Sequence, residues 1–104
     1  MANGGSTFVI VVGVRRAKAW LLSGAATVRA RVLHPDGTMG PEMDVPIADL
    51  FSPRDEIDLS SAGQAQRFWR IWNVIQNGNG AALPPIVVRP GSRGTPVKDV
   101  RWKR

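Results

Sequence analysis

The pattern of hydrophobic and polar positions predicts strands in the first half of the chain. Residues 8–14 are apolar and rich in β-branched side chains, which predicts a central strand buried on both faces. Apolar and polar residues alternate over residues 27–33 and again over residues 43–47, as in strands with one buried face. A Pro-Asp-Gly turn lies between them at residues 35–37, so the two strands form a hairpin. Pro46 lacks an N–H donor, which places the return strand at a sheet edge.

The clearest helix pattern covers residues 61–77. Ser61 and Gln64 have the spacing of a capping box, and Gly78 follows the last turn, where a glycine commonly ends a helix. Phe68 and Trp72 lie on one apolar stripe with other bulky residues, so we expect both rings to anchor the core. The alternative is that the helix tryptophans stack on nucleic-acid bases, but aromatic residues at helical spacing are more often core residues.

These patterns together predict an α+β fold. The expected architecture is a mostly antiparallel sheet of about four to five strands, with one main helix at about 61–77 packed on one face. Residues 83–88 and 97–102 supply the last strands, with a loop over residues 89–96. Residues 15–23 fit either a short helix or a turn followed by a short strand. The 104 residues are expected to form one domain, with residues 1–7 flexible.

Charge is sorted by position along the chain. Residues 15–31 hold five basic residues and no acid, residues 36–58 hold seven acids and one arginine, and residues 84–104 hold six basic residues and one acid. The formal net charge is +6. Such a chain is a candidate for binding RNA or another polyanion, because Lys and Arg that neutralise phosphates release counterions.

Some charged residues have a structural explanation. Across the predicted hairpin, Glu42 and Asp44 can pair with Arg29 and Arg31 on the exposed side. Three acids precede the long helix, where carboxylates stabilise the positive N-terminus. They are Asp55, Glu56 and Asp58.

Several classes of chemistry are excluded by residue type. Without cysteine there is no disulfide, no thiolate nucleophile and no cysteine zinc site. His34 is the only histidine, which excludes a catalytic histidine pair and a two-histidine metal site. Neither a Walker nucleotide-binding loop nor a dinucleotide-binding glycine motif is present. The longest apolar run, residues 8–14, is too short to span a membrane. We therefore expect a soluble protein with no metal, no cofactor and no membrane partner.

The best candidate site is the glycine-rich segment 89–96 with the strand that follows it. Glycines let a backbone approach a ligand closely, and hydroxyl and guanidinium groups are suitable donors for phosphate. The alternative is a solvated turn between two strands, since the motif is not specific. The residues predicted to bind phosphate are Arg89, Ser92, Arg93, Thr95, Lys98 and Arg101.

Four short stretches in the second half of the chain carry a family resemblance. They are RFWRIWN (67–73), NGNG (77–80), LPPI (83–86) and PGSRGTP (90–96), within residues 58–100. They resemble the closing segments of small C-terminal toxin domains from bacterial polymorphic toxin systems. The resemblance implies a basic α+β ribonuclease that acts through arginine, lysine and carboxylates and is neutralised by an acidic immunity protein. It assigns no catalytic residue.

Two functional hypotheses follow from the sequence. The first is a small basic nucleic-acid-interacting domain, in its most specific form an RNA-cleaving bacterial toxin domain. Its site of action would be the cytoplasm, and secretion as part of a larger protein is compatible with it. The second is a non-enzymatic protein-interaction module, such as a phage or mobile-element accessory protein. Its acidic segment 36–58 and an exposed sheet edge would bind the partner.

Overall fold

The computed structural model describes residues 6–103. Residues 1–5, most of the segment predicted to be flexible, lie outside the described residues. The described helices are α1 (Val14–Leu22) and α2 (Ala62–Gln76). The strands, in chain order, are β1 (Phe8–Val12), β2 (Thr27–Val32), β3 (Met43–Pro46), β4 (Leu50–Ser52), β5 (Glu56–Asp58), β6 (Ile86–Pro90), β7 (Thr95–Pro96) and β8 (Arg101–Lys103). Short 3₁₀ turns lie at Ile47–Asp49, Gly80–Ala82 and Val97–Asp99.

Six strands form one mixed sheet in the order β3-β2-β6-β1-β4-β7. β1 is antiparallel to β6 and parallel to β4, while β2 is antiparallel to β3 and parallel to β6. β5 and β8 form a separate parallel pair. The α+β class is confirmed, but the prediction of a mostly antiparallel sheet of four to five strands with one main helix is wrong. The parallel pairs join segments far apart in sequence, which local alternation does not encode.

Gly13 joins the central strand β1 to helix α1. Its φ is 113°, and a Cβ added there would lie 2.5 Å from Cγ2 of Ile86, so the position requires glycine. β1 lies between β6 and β4, as predicted for a central strand. Val11 and Val12 are nevertheless 45% and 52% exposed, so β1 is not buried on both faces along its whole length.

Helix α1 covers one face of the six-stranded sheet. Ala17 and Ala19 are fully buried, because small side chains let the helix approach the strands closely. Of the two interpretations of residues 15–23, the structure therefore shows the short helix and not a turn followed by a short strand. The buried core around Ala17 consists of Ile10, Val28, Ala30, Val45, Ile47, Leu50, Ile86, Val88 and Val97.

Helix α2 packs chiefly on α1, not directly on the sheet as predicted. The Ser61 hydroxyl caps it by accepting the backbone N–H of Gln64 at 3.2 Å, but the Gln64 side chain accepts a hydrogen bond from Arg15 and leaves the capping box half formed. Gly78 follows the helix with φ 79°, as expected. Phe68 is 2% exposed and packs edge-to-face on Trp102 at 4.8 Å between ring centroids, so it is a core anchor.

The hairpin of β2 and β3 is confirmed, with β3 and Pro46 at the sheet edge. Arg29 lies opposite Asp44 and forms an ion pair with Glu42 at 3.5 Å. Arg31 differs from the prediction, because its Nε donates to the carbonyl of Gly40 at 2.8 Å and not to an acid.

Segment boundaries after α2 also differ from those predicted. β6 begins at Ile86 and continues through Arg89 and Pro90, which were expected in a loop. Thr95 and Pro96 form a strand with β4, and residues 97–99 form a 3₁₀ turn before β8. The short strands β4 and β5 carry too few alternating positions to be detected from sequence.

Candidate nucleic-acid interface

Segment 89–95, which we call the basic loop, is attached to the sheet at both ends. At one end the Gly91 N–H donates to the carbonyl of Thr7 at 3.1 Å. At the other end Gly94, with φ 110°, lies so close to Ser52 that an added Cβ would be 2.1 Å from the Ser52 carbonyl oxygen. The exposed tip of Ser92 and Arg93 is therefore held in place by its flanks.

Two arginines of the basic loop point to solvent. Arg89 and Arg93 are exposed, and neither side chain forms a hydrogen bond or an ion pair with any of residues 6–103. Arg89 lies opposite Val9 in the pairing of β6 with β1, on the side of β6 away from buried Ile86 and Val88. Both guanidinium groups are thus available to an external anion.

Arg31 lies on the same face of the sheet as Arg89. It lies opposite Val87 in the parallel pairing of β2 with β6, and Val87 is two residues before Arg89. Residues two apart on a strand share a face, so Arg31 and Arg89 do so too. The hydrogen bond of Arg31 to Gly40 leaves its positive charge uncompensated. One cation of the N-terminal basic block thus shares a sheet face with one of the C-terminal block.

The other predicted site residues lie at the end of the basic loop or beyond it. Thr95 is in β7, opposite Ser52, and lines an open depression with Arg54, Asp55 and Glu56. Lys98 is exposed on the 3₁₀ turn at Val97–Asp99. Arg101 lies in β8 opposite Glu56 and contacts Asp55 at 3.5 Å. The basic loop therefore holds Arg89, Ser92, Arg93 and Thr95. Arg101 is paired with Asp55, which lines the same depression as Thr95, and Lys98 lies on the turn that follows the loop.

Three residues of the N-terminal basic block donate hydrogen bonds to main-chain carbonyls of distant segments. Arg16 donates to the carbonyl of Pro84 at 2.6 Å, and Arg29 donates to that of Ala81 at 2.7 Å. Lys18, only 5% exposed, donates to the carbonyls of Val97 and Lys98 at 3.1 and 3.2 Å. Sequence reasoning missed these roles, because the acceptors are main-chain atoms more than fifty residues away.

Burial affects two of these cations. It lowers the pKa of the Lys18 ammonium, while nearby Asp99 opposes that shift. It also lowers the pKa of the Arg16 guanidinium. Arginine stays protonated in proteins, so Arg16 remains a cation.

A second surface feature was not predicted. Helix α2, the end of α1 and strand β8 enclose a groove of about 190 Å³, which we call the tryptophan groove. Trp69 is 50% exposed and Leu22 is 49% exposed, although Phe68 beside them is buried. The groove is lined by Leu22, Leu59, Phe68, Trp69, Trp72 and Trp102. In the sequence, the only indication of this groove was the alternative in which the helix tryptophans stack on bases.

Some functional elements are absent from residues 6–103. No group of three or more potential metal ligands occurs among them. None of their helices combines the length and the apolar character needed to cross a membrane. His34 is exposed in the hairpin turn.

Comparison with known proteins supplies no relative: no family model, no curated protein and no solved structure matches the chain significantly.

Proposed function

We propose that this chain is a small nucleic-acid-binding domain that holds backbone phosphates with the basic loop. One observation carries the proposal. Arg89 and Arg93 are exposed without a partner among the described residues, on a loop that is attached to the sheet on both sides. An arginine on a fixed backbone requires less ordering of the backbone when it binds phosphate, and its planar fork fits two phosphate oxygens.

The ion pairs of the described residues also favour the basic loop as the surface that binds phosphate. Arg29 and Arg101 form the two ion pairs found among the described residues, with Glu42 and Asp55. Glu42 lies beside β3, and Asp55 lines the depression that also contains Thr95 at the end of the basic loop, but neither acid pairs with Arg89 or Arg93. The uncompensated part of the +6 charge therefore includes Arg89, Arg93 and Arg31, which supports attraction of a polyanion.

The test is binding to a labelled single-stranded RNA or DNA oligonucleotide across a range of salt concentrations. Replacing Arg89 and Arg93 together by Ala should weaken binding and reduce the slope of log affinity against log salt by about 1.4 to 1.8, since each lost phosphate contact contributes about 0.7 to 0.9. The fold should survive, because both side chains are exposed.

A matched control removes the same charge from another exposed surface. Arg67 and Arg70 lie on α2 and are also exposed without described partners. Their double replacement by Ala should weaken binding much less. The proposal is wrong if the unmodified protein does not bind at low salt, or if the two double variants weaken binding equally.

RNA cleavage, as implied by the toxin resemblance, is a separate part of the proposal. The observation that favours it is the depression shared by Thr95, Arg54, Asp55 and Glu56, since carboxylates beside bound phosphate can act as general acid and base. Labelled RNA should be cleaved by the unmodified protein and left intact by the Asp55→Asn/Glu56→Gln variant. An absence of products from the unmodified protein would refute cleavage but not binding. An acidic immunity protein of the kind implied by the resemblance would cover Arg89 and Arg93.

The alternative function is a protein-interaction module. The observation that favours it is β3, an edge strand of the six-stranded sheet with exposed Glu42 and Asp44 beside it. Its free edge could accept a strand from a basic partner by β-augmentation. This alternative predicts no affinity for oligonucleotides, so the same titration separates the two functions.

A further inference from the structure

The tryptophan groove exposes more aromatic surface than core packing requires. Trp69 is half exposed, whereas its neighbour Phe68 is buried and meets it edge-to-face at 5.3 Å between ring centroids. Phe68 also meets Trp102 edge-to-face, and the Lys18 ammonium lies 5.9 Å from the Trp102 ring. Phe68, Trp102 and Lys18 thus hold one another in place, while Trp69 retains half of its surface for a ligand.

An exposed cation lies at the β8 side of the groove. Other basic residues of the lining elements are used elsewhere: Arg16 donates to Pro84, Arg101 contacts Asp55, and Lys18 is buried. Lys103 is next to Trp102, and its carbonyl accepts the N–H of the groove residue Leu59 at 2.6 Å. The acid closest along the chain is Asp58, which lies opposite Lys103 in the β5–β8 pair. Lys103 therefore offers attraction to an anionic group at the β8 side of the groove.

The size and shape of the groove narrow the class of ligand. At about 190 Å³ it is smaller than the cavities of roughly 300–1,000 Å³ that hold drug-sized ligands, so it suits one small planar group. Gln66 and Asn73 lie about one helical turn before and after Trp69, and both are exposed. Their amide groups could donate to and accept from the edge of a base.

We propose that the tryptophan groove receives an unpaired base of a single-stranded nucleic acid, with the base stacked on Trp69. This inference rests on the proposed function and specifies its substrate class as single-stranded. Stacking on an aromatic ring tolerates any base, because every base has a π-face. The bases of a duplex are already stacked on one another and are not available to the groove.

The experiment compares three oligonucleotides of equal length: a single strand, a duplex, and a single strand with abasic sites. Trp69→Ala should weaken binding of the natural single strand about tenfold, the effect of losing one base–aromatic stack. Binding of the duplex and the abasic strand should not change, nor should the salt slope for the natural strand. Trp69→Phe retains a ring and should restore most of the affinity.

Leu22→Ala is the matched control, because Leu22 is as exposed as Trp69 and lines the same groove but offers no ring. It should leave single-strand binding nearly unchanged. A groove that instead binds an apolar peptide segment would be affected by both variants, and its tryptophan fluorescence would respond to an acidic amphipathic peptide but not to an oligonucleotide. That result would overturn the inference.

Failure of the inference differs from failure of the proposed function. If salt-dependent binding depends on Arg89 and Arg93 but is the same for Trp69→Ala and for abasic strands, the stacking site is refuted and phosphate binding stands. If no oligonucleotide binds the unmodified protein at low salt, both are refuted. Circular dichroism of each variant confirms that a loss of affinity is not a loss of fold.

Discussion

At the scale of single residues, cations of the N-terminal basic block stabilise loops by donating to main-chain carbonyls. Arg16 binds the carbonyls of Pro84 and Pro85, and Arg29 binds those of Ala81 and Leu83. These acceptors precede β6, where no neighbouring strand is paired with them. A long basic side chain therefore supplies the donor that a neighbouring strand would otherwise provide.

Lys18 gives the first prediction at this scale. Its ammonium makes two hydrogen bonds to carbonyls and is nearly buried, so Lys18→Ala should lower the free energy of unfolding by about 1–3 kcal/mol. Urea unfolding measures this change. Lys98→Ala, at an exposed position on the turn that Lys18 binds, should change stability by no more than about 0.5 kcal/mol. Equal effects of the two variants would show that the Lys18 contacts contribute no stability.

Asp58 gives a prediction about pH. The hydroxyl and backbone N–H of Ser60 donate to its carboxylate and lower the pKa of Asp58. A lowered carboxyl pKa contributes stability that is present above the ordinary titration range of aspartate and is lost as pH falls through the lowered value. Ser60→Ala should therefore raise the pKa of Asp58 and weaken the dependence of unfolding on pH in acid.

NMR titration of the Asp58 carboxyl, together with melting curves at several acidic pH values, tests this. The hydroxyl and backbone N–H of Thr38 donate to the Asp36 carboxylate in the same way and lower the pKa of Asp36. In Ser60→Ala the titration of Asp36 should not change, so Asp36 is the internal control. If the pKa of Asp58 does not change in Ser60→Ala, the hydrogen bonds from Ser60 are not the cause of its lowered value.

At the scale of elements, two glycines have different roles. One is required by its backbone conformation, and the other only weakens a helix. Gly94 has φ 110° and lies against the Ser52 carbonyl, so Gly94→Ala should destabilise by more than about 2 kcal/mol through strain and contact. Gly63 lies in the first turn of α2 with open space around it, and Gly63→Ala should stabilise by about 0.5–1 kcal/mol. Thermal unfolding of both variants measures the difference. A tolerated Gly94→Ala would show that the basic loop is not held by β4.

At the scale of the whole molecule, the order of strands ties the two ends of the chain together. The early strand β1 lies between β4 and the late strand β6, and β6 also pairs with β2. The strands of the six-stranded sheet come from residues 8–96, so neither half of the chain can form this sheet alone. We expect one cooperative unfolding transition, with tryptophan fluorescence and far-UV circular dichroism changing at the same denaturant concentration. Two separated transitions would contradict a single domain.

The sequence alone determined the features that depend on neighbouring residues. The alternation of β2 and β3 with the turn between them predicted the hairpin, and Ser61 and Gly78 predicted the ends of α2. These signals are local, since a cap, a turn or one face of a strand is set by residues a few positions apart. The overall α+β class follows from the order of such elements.

Only the tertiary structure decided which residues meet across the chain. It placed α2 on α1, paired β1 with β4 in parallel, and joined β5 to β8. Within the predicted phosphate site, it gave Arg101 an acid partner in Asp55, whereas Arg89 and Arg93 have no acid partner among the described residues. Trp69 and Phe68 are adjacent in sequence, yet one is half exposed and the other buried. Residue type fixes charge and size, but exposure and partners depend on packing between distant segments, and a single sequence contains no direct signal of that packing.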